Sequence, residues 1–223
     1  MNYTFQFRDV WNSFDELLWG AWLTVQLSAE AMAFGLLVAV VCAVGKTAGP
    51  APVRFLVNIY IEVIRNTPFL IQIFIIFFGF PAFGLRLSSN QAALLAMVVN
   101  VGAYATEIIR AGIESIQKGQ IEAGLALGLK RGKIFRYIVL KPALKTVYPA
   151  LTSQFILLML SSSIVSAISA EELASAANNL QSRTFRSFEI YIVVTAMYLV
   201  LSLMFSTVFA AINRMAFSYP DRR

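Results

Sequence analysis

The residues of this chain that could do chemistry are carboxylates and their neighbours, because the commonest catalytic and metal-binding side chains are almost missing. The sequence holds no histidine, and its single cysteine, Cys42, lies in an apolar run. These facts exclude a histidine general base, a cysteine–histidine zinc site and an intramolecular disulfide. What remains is a set of ionisable residues within or beside long apolar segments, where such groups typically serve transport or anchoring.

Glu30 stands about halfway along an apolar run, four residues after Gln26 and on the same helix face. A charged carboxylate at the centre of a bilayer costs at least about 2.5–3.5 kcal/mol, so it does not face lipid. Glu30 can be protonated, or it can pair with a basic or hydroxyl group on another helix, such as Ser161, Ser162 or Ser163. It can also face a water-filled path and meet the ammonium of a substrate. Last, the span boundary can differ, so that Glu30 lies at the membrane surface. The serines in turn either bond to their own helix or line that path.

Glu107 and Arg110 are three residues apart, so their side chains share a helix face. They lie near one end of an apolar segment, where an ion pair can anchor that segment to its neighbour. We predict a structural ion pair, with a direct role in transport as the alternative.

A polar stretch from Ile121 to Pro142 separates long apolar runs, and its only carboxylate is Glu122. Its basic residues are Lys130, Arg131, Lys133, Arg136 and Lys141. Such a segment cannot lie in hydrocarbon, so we predict a cytoplasmic loop. Good helix formers interrupted by Gly128 and Gly132 indicate a short helix, a turn and a second helix. From charge alone, an ordinary basic loop that obeys the positive-inside rule fits as well.

The composition places the chain among polytopic, all-α membrane proteins. Of its 223 residues, 58% are hydrophobic and 13% are charged, whereas a soluble domain carries about 25% charge. We predict a single domain, 1–223, with five transmembrane helices. The spans are about 17–44, 55–82, 89–113, 144–168 and 188–212, with a cytoplasmic loop at 114–143 and a compact outer loop at 169–188. Residues 1–16 are either an amphipathic lead-in or a plain tail, and we expect no cleavable signal peptide.

The second span is interrupted at Pro68, which starts a new helical run that Asn66 or Thr67 can cap. A helix break at membrane depth needs shelter from protein or from a water cavity. In that case Asn66, Thr67 and Gln72 present polar groups towards an interface and a substrate path. The alternative is a simple helix start at the cytoplasmic surface.

The distribution of basic residues sets the orientation. If the loop at 114–143 is cytoplasmic, 14 of the 18 basic residues lie inside, which predicts an outer amino terminus and a cytoplasmic carboxyl terminus. The 14 are Lys46, Arg54, Arg65, Arg110, Lys118, Lys130, Arg131, Lys133, Arg136, Lys141, Lys145, Arg214, Arg222 and Arg223. Membrane insertion therefore accounts for the net charge of +6, and we predict no nucleic-acid partner.

Gly45, Lys46 and Thr47 look briefly like the end of a phosphate-binding loop. That loop needs a glycine five residues before Gly45, where this chain has Val40. We predict no nucleotide site in this chain.

The basic stretch resembles the E-A-A, Gly, I-x-L-P loop of permease subunits in type I importers driven by ATP-binding cassette (ABC) ATPases. The residues on that pattern are Glu122, Ala123, Gly128, Ile138, Leu140 and Pro142. Gly124 replaces the second alanine, and Lys141 stands between Leu140 and Pro142.

Two further segments are similar to the polar amino-acid branch of this family. They read Y-I-E-V-I-R-N-T-P-F-L-I-Q-I-F at 60–74 and G-A-Y-A-T-E-I-I-R-A-G-I at 102–113. The chain departs from the family at Leu160 and Ser161, where a lysine and an Asp or Asn are usual, and at Glu30, where an apolar residue is usual.

The resemblance implies a five-helix permease whose loop docks in a groove on an ATPase. The coupling residues would be Glu122, Ala123, Gly124, Gly128, Leu140 and Pro142, with the small residues allowing close approach. It also implies a second permease chain, identical or homologous, a pair of cytoplasmic ATPases that bind ATP and Mg, and an extracytoplasmic solute-binding protein. The substrate would be a polar amino acid carried across the bacterial cytoplasmic membrane, with no catalytic residue, metal or cofactor in this chain.

Two other classes of protein fit the sequence less well. A secondary transporter or a channel subunit for small polar solutes carries coupling charges inside the membrane and often has two related halves, and this sequence has no visible internal repeat. A membrane-bound enzyme needs a catalytic constellation, which we do not find in the sequence. The sequence leaves open which amino acid is carried and whether the two permeases are identical.

Overall fold

The protein, described by a computed structural model over residues 4–217, has only helical secondary structure in that range. This confirms the predicted all-α class. Residues 1–3 and 218–223 lie outside the described part, and so do Arg222 and Arg223 of the orientation count. The helices are α1 (Arg8–Asn12), α2 (Phe14–Ala48), α3 (Ala51–Arg65), α4 (Phe69–Gly79), α5 (Ser89–Glu114), α6 (Lys118–Ala126), α7 (Arg131–Ile134), α8 (Leu140–Ser161), α9 (Leu173–Thr184) and α10 (Ser187–Phe217).

Four continuous helical segments are long and apolar enough to cross a membrane: Phe14–Ala48, Ser89–Glu114, Arg131–Ile168 and Ser187–Phe217. Within residues 4–217, a further crossing is possible only for a bent pair, Ala51–Arg65 with Phe69–Phe83, whose two parts meet at 109°. The predicted span 55–82 is therefore not one straight helix. Pro68 explains the bend, because it cannot donate a backbone hydrogen bond and disfavours a helical residue before it.

Helix α5 is the centre of the bundle and packs against α2, α4 and α8. In lipid, helices associate through close packing, so small residues mark their contacts. A Cβ built on Gly35 of α2 would lie 2.2 Å from Val101 Cγ1, and one built on Gly112 of α5 would lie 2.0 Å from Val147 Cγ1. The glycines therefore fix how closely α2 and α8 approach α5.

Residues 169–188, predicted to be a compact loop, instead contain the 12-residue helix α9. Its buried side chains, Leu173, Ala177 and Leu180, are spaced as one face of an amphipathic helix. That face meets Val10 of α1 and Leu17 of α2 in a separate apolar cluster. Polar residues dominate this segment and indicate a loop, although its apolar residues follow a helical period.

The fourth crossing begins at Arg131 and not near Leu144, because the predicted second helix of the loop runs directly into it. A π-helical turn, Phe135–Val139, joins α7 to α8, and a 3-10 segment, Ser162–Ile168, extends α8. Pro142 has no N–H for the carbonyl four residues earlier, and a π-helical turn just before it shifts the hydrogen-bond register. The helix therefore continues through Gly132 and Pro142, two residues that predicted a break in it.

Candidate functional site

Two groups of predicted residues lie at different levels of the bundle. We call the end that carries α6 the α6 end, and the end that carries α1 and α9 the α9 end. The residues predicted to couple to an ATPase are at the α6 end, and those predicted to line a path lie between the two ends.

Helix α6 ends in a Schellman motif, a cap in which two amides reach back to two carbonyls. Gly128 N donates to Leu125 O at 2.9 Å, and Leu129 N donates to Gly124 O at 3.1 Å. Gly128 has a φ of +73°, a backbone conformation that is strained for residues other than glycine. The glycine of the predicted loop is thus needed to turn the chain, and the space around its Cα is open.

Gly124 has a different task. It is buried, and a Cβ on it would lie 2.7 Å from Ile138 Cδ1 and 3.2 Å from Ile134 Cγ1. Its small size brings α6 onto the start of the fourth crossing, so it does not face outwards as the resemblance implied. Glu122 and Ala123, by contrast, are exposed.

The exposed surface of α6 continues into apolar side chains. Leu125 is 50% exposed and Leu127 is 80% exposed. Leu140 and Pro142, the other two predicted coupling residues, lie in the first turn of α8 and are also exposed. The structure therefore brings α6 and the π-helical turn together, with Leu140 and Pro142 one turn further on.

The predicted pair of Glu107 and Arg110 is present, with Arg110 Nη2 2.8 Å from Glu107 Oε2. Sequence reasoning missed a second cation, since Lys46 Nζ lies 2.6 Å from Glu107 Oε1. Arg110 also pairs with Glu114 in the next turn. These ion pairs tie the last turn of α2 to the last turns of α5, from which the chain leads into α6. No periodicity could have indicated Lys46, because it lies on another helix.

Side chains complete the hydrogen bonds of the bend between α3 and α4. Asn66 Nδ2 donates to Glu62 O at 2.8 Å, and Thr67 Oγ1 donates to Val63 O at 2.8 Å. Asn66 and Thr67 are exposed, so both have local bonds while still facing outwards.

Gln72 is buried at this bend, at 6% exposure. Its Nε2 donates to Ile64 O at 2.7 Å and to Thr67 Oγ1 at 2.9 Å. Its Oε1 accepts a hydrogen bond of 2.9 Å from Asn100 Nδ2 of α5. Ile64 is the residue whose carbonyl Pro68 would have served in an unbroken helix, so Gln72 replaces the missing donor. Asn100 was missed, although an amide inside an apolar span is itself a signal.

Glu30 is half-buried and accepts a hydrogen bond of 2.9 Å from Gln26 Nε2. The pairing with serines is not made, because Ser162 Oγ donates to Met159 O and Ser163 Oγ donates to Leu160 O on their own helix. Gln26 and Glu30 line a cavity of about 260 Å³.

This cavity continues towards the α9 end in a second one of about 490 Å³, since Leu23 and Glu171 line both. One face of α2 forms the shared wall; its residues are Asp15, Trp19, Leu23, Gln26 and Glu30. Their spacing of three and four residues is that of a single helix stripe. The stripe leads from the α9 end to the middle of α2, and it is acidic at both of its ends.

Glu172, which the sequence analysis did not single out, is the most enclosed carboxylate beside this groove, at 1% exposure. It caps α9 by accepting from Ser175 N at 2.6 Å, and it accepts from Tyr198 Oη at 2.6 Å and from Thr24 Oγ1 at 3.5 Å. Burial raises the pKa of Glu172, and these hydrogen bonds oppose the rise. The missed signal was a carboxylate placed directly before a helical apolar period.

The comparisons with known proteins agree with one another. Residues 32–217 match the family described as binding-protein-dependent transport system inner membrane component. The L-cystine transport system permease protein TcyB of Bacillus subtilis is 34% identical over 210 residues, covering 92% of this chain and 90% of that protein. The glutamine transport system permease protein GlnP of Escherichia coli is 34% identical over 212 residues, covering 94% and 97%. A crystal structure described as an amino acid ABC transporter with histidines superposes on this chain with a TM-score of 0.90. The two chains are 35% identical, and the match covers 96% of this chain and 100% of that one.

Proposed function

Because this chain belongs to the family of binding-protein-dependent transport system inner membrane components, we propose that it is the permease subunit of an ABC importer that carries a polar amino acid into the cell. Its relatives are named for glutamine and cystine transport. Both solutes carry an ammonium and a carboxylate on one carbon, and the proposal rests on this common chemistry.

The observation that carries the proposal is the exposed face of α6, formed by Glu122, Ala123, Leu125 and Leu127. Leu125 on the helix and Leu127 directly after it are 50% and 80% exposed, and neighbouring exposed apolar side chains beside a carboxylate suit a protein contact. The helix is backed by Gly124 against the start of the fourth crossing, so a push on this face is passed into a long continuous helix. We propose that the face docks on an ATPase, which supplies the ATP- and Mg-binding chemistry.

The partners follow from the same proposal. The α6 end faces the cytoplasm and a pair of ATPases, and the α9 end faces an extracytoplasmic solute-binding protein. This leaves the amino terminus outside and the carboxyl terminus in the cytoplasm. A second permease, identical or homologous, faces this one across the path, and rocking of the two changes access from one side to the other.

The groove along α2 supports a path for a solute that bears an ammonium. Its walls are acidic near Asp15 and at Glu30, and an intramembrane carboxylate beside a cavity is suited to a cation. Gln26 holds Glu30 in place through the hydrogen bond of 2.9 Å. Asn66 and Thr67, exposed at the bend, and Ser161, at the end of α8, are proposed as further path residues. Ser162 and Gln72, also predicted to line a path, are 0% and 6% exposed and are not part of this proposal.

The test is uptake by the whole complex reconstituted with its ATPases and solute-binding protein in proteoliposomes. We expect ATP-dependent uptake of one or more polar amino acids and stimulation of ATP hydrolysis by the same solutes. Uptake that needs no ATP would overturn the proposal in favour of a secondary transporter or channel. Stimulation by a solute of another class, such as a sugar, would agree with an ABC importer but would contradict an amino acid as its substrate.

A further inference from the structure

We propose that Gln72 and Asn100 form a tie that holds the bend between α3 and α4 to α5, so that a movement of α5 carries the bend with it. This makes both of them positioning residues. The inference rests on the proposed function, since the exposed side of the bend carries two of the proposed path residues, Asn66 and Thr67.

The first step is that the backbone hydrogen bonds of α3 do not continue into α4. Pro68 removes the amide that would have bonded to Ile64 O, and α3 and α4 meet at 109°. The amide of Gln72 takes over, with donor–acceptor distances of 2.7 Å to Ile64 O, 2.9 Å to Thr67 Oγ1 and 3.1 Å to Thr67 O. A side chain of α4 therefore sets the position of the end of α3.

The second step is that the remaining polar atom of the same side chain is used by another helix. Gln72 Oε1 accepts from Asn100 Nδ2 at 2.9 Å. Gln72 is 6% exposed, and the cavity beside it is lined by apolar residues such as Ile71, Leu95 and Val99. A buried amide in apolar surroundings keeps its partners, because water cannot replace them. One carboxamide thus joins three helices.

The third step is that α3 meets α5 at two more points close to Asn100. Tyr60 Oη donates to Val99 O at 2.6 Å. A Cβ built on Gly102 would lie 2.7 Å from Tyr60 Oη. Arg65 lies over the ring of Tyr104, 5.5 Å from its centroid. The contacts fall on consecutive turns of α5, so the end of α3 and the bend pack along α5 at several points.

The fourth step is that α5 leads to the ATPase side. It is one helix from Ser89 to Glu114, and only three residues separate it from α6. A displacement of α6 is passed to α5, and the tie passes it to the bend. Without Asn100, the bend keeps its bonds to Ile64 and Thr67 but loses its hydrogen bond to α5.

The experiment compares Asn100→Ala and Asn100→Leu with Asn12→Ala in the reconstituted complex. Leu keeps nearly the volume of the side chain but removes the donor, which guards against a folding defect caused by the cavity that Ala leaves. Asn12 is exposed on α1 at the far end and controls for the loss of an amide as such. The quantity measured is amino acid taken up per ATP hydrolysed.

We expect both Asn100 variants to hydrolyse ATP at near the original rate while uptake per ATP falls about ten-fold, and Asn12→Ala to match the original protein. A merely structural role would lower the amount of active complex, and with it uptake and hydrolysis together, leaving their ratio unchanged. An unchanged ratio in both Asn100 variants overturns the tie.

A second measurement does not depend on which solute is carried. Nitroxide labels replace Leu70 and Ala111, both exposed, in a chain with Cys42→Ser, and their separation is measured with and without ATP plus orthovanadate. We expect one narrow distance in both states of the original protein, and a shifted or broadened one in Asn100→Ala when nucleotide is added. Equal distributions in the variant and the original, or a shift in the original itself, overturn the tie. Failure of amino acid uptake in the original protein contradicts only the proposed function.

Discussion

The α9 end and the α6 end of the molecule are built in opposite ways. At the α9 end, Val10, Leu17, Leu173 and Ile190 are fully buried in a cluster of their own. At the α6 end, leucines and aromatic rings lie in the open: Leu127 is 80% exposed and Tyr137 is 68% exposed. The α9 end exposes rings too, Phe185 at 85%, but it also has this buried cluster. Helix α6 buries only Gly124 of its nine residues, so we expect another protein to cover it.

The treatment of charge follows the same division. Glu172 and Glu189 are almost wholly enclosed at the α9 end, and each accepts hydrogen bonds, Glu189 from Gln6 N at 2.9 Å. Glu122 at the α6 end is exposed. A buried carboxylate that loses its partners destabilises the fold, whereas an exposed one has little effect on stability. Loss of Glu172 should therefore alter stability, and a change of Glu122 should alter activity.

The largest expected effect is at the α9 end. Glu172→Ala removes the cap of α9 and leaves Tyr198 Oη and Thr24 Oγ1 without their acceptor. We expect a loss of about 2–4 kcal/mol in the free energy of unfolding, measured by denaturation of the purified protein in detergent. Glu171→Ala is the matched control, since this neighbouring side chain is exposed. Equal losses in both variants would break the comparison.

Next comes Glu122→Lys at the α6 end. We expect an unchanged free energy of unfolding and at least a ten-fold loss of uptake, which corresponds to about 1.4 kcal/mol of coupling. Uptake and thermal unfolding are measured on the same preparation. Gln120→Lys, on the same helix, retains Glu122 and separates the loss of the carboxylate from the gain of a positive charge. A stability loss without an uptake loss would contradict the assignment of this face.

A smaller effect is expected at the turn that closes α6. Gly128→Ala places a side chain at a φ of +73°, which costs about 1–2 kcal/mol, and we expect uptake to fall several-fold as α6 loses its fixed position. Gly132→Ala is the control, because Gly132 has open space around it and is helical. Normal uptake and normal stimulation of ATP hydrolysis in Gly128→Ala would remove the turn from the coupling mechanism.

The smallest effect on stability is expected between the two ends. Glu30→Gln keeps the shape and a hydrogen bond to Gln26 but removes the charge, so the free energy of unfolding should change by less than about 0.5 kcal/mol. Competition assays should show uptake of cationic relative to neutral amino acids reduced several-fold. An unchanged preference would remove Glu30 from the path and leave it as a structural acceptor.

Much of the fold followed from hydropathy, because apolar length and helix-breaking residues are local properties. The bend at Pro68 is a case of this kind, since a missing N–H has the same consequence wherever it occurs. Helix α9 was missed because its polar residues outnumber the few buried side chains that hold it. The π-helical turn before Pro142 was missed because register shifts have no simple sequence period.

The candidate site was less predictable, because its important contacts join distant parts of the chain. Gln72 was identified as polar and placed near the bend, but its partner Asn100 is 28 residues away. Lys46 is 61 residues from Glu107, and Glu172 is 148 residues from Thr24. A single sequence gives the residue types that such contacts require, and only the packing of helices decides which of them meet.

The bend also has a consequence for how the protein is made. Helix α4 has 11 residues, or about 16 Å at 1.5 Å per residue, roughly half the thickness of the hydrocarbon core. As the chain leaves the ribosome, this segment is too short to settle across the bilayer by itself, and α3 before it exposes Arg54 and Glu62 on its surface. Asn100, which completes the bonds of Gln72, is synthesised only 28 residues later. We therefore expect the second crossing to be completed only after Asn100 of the third has been synthesised.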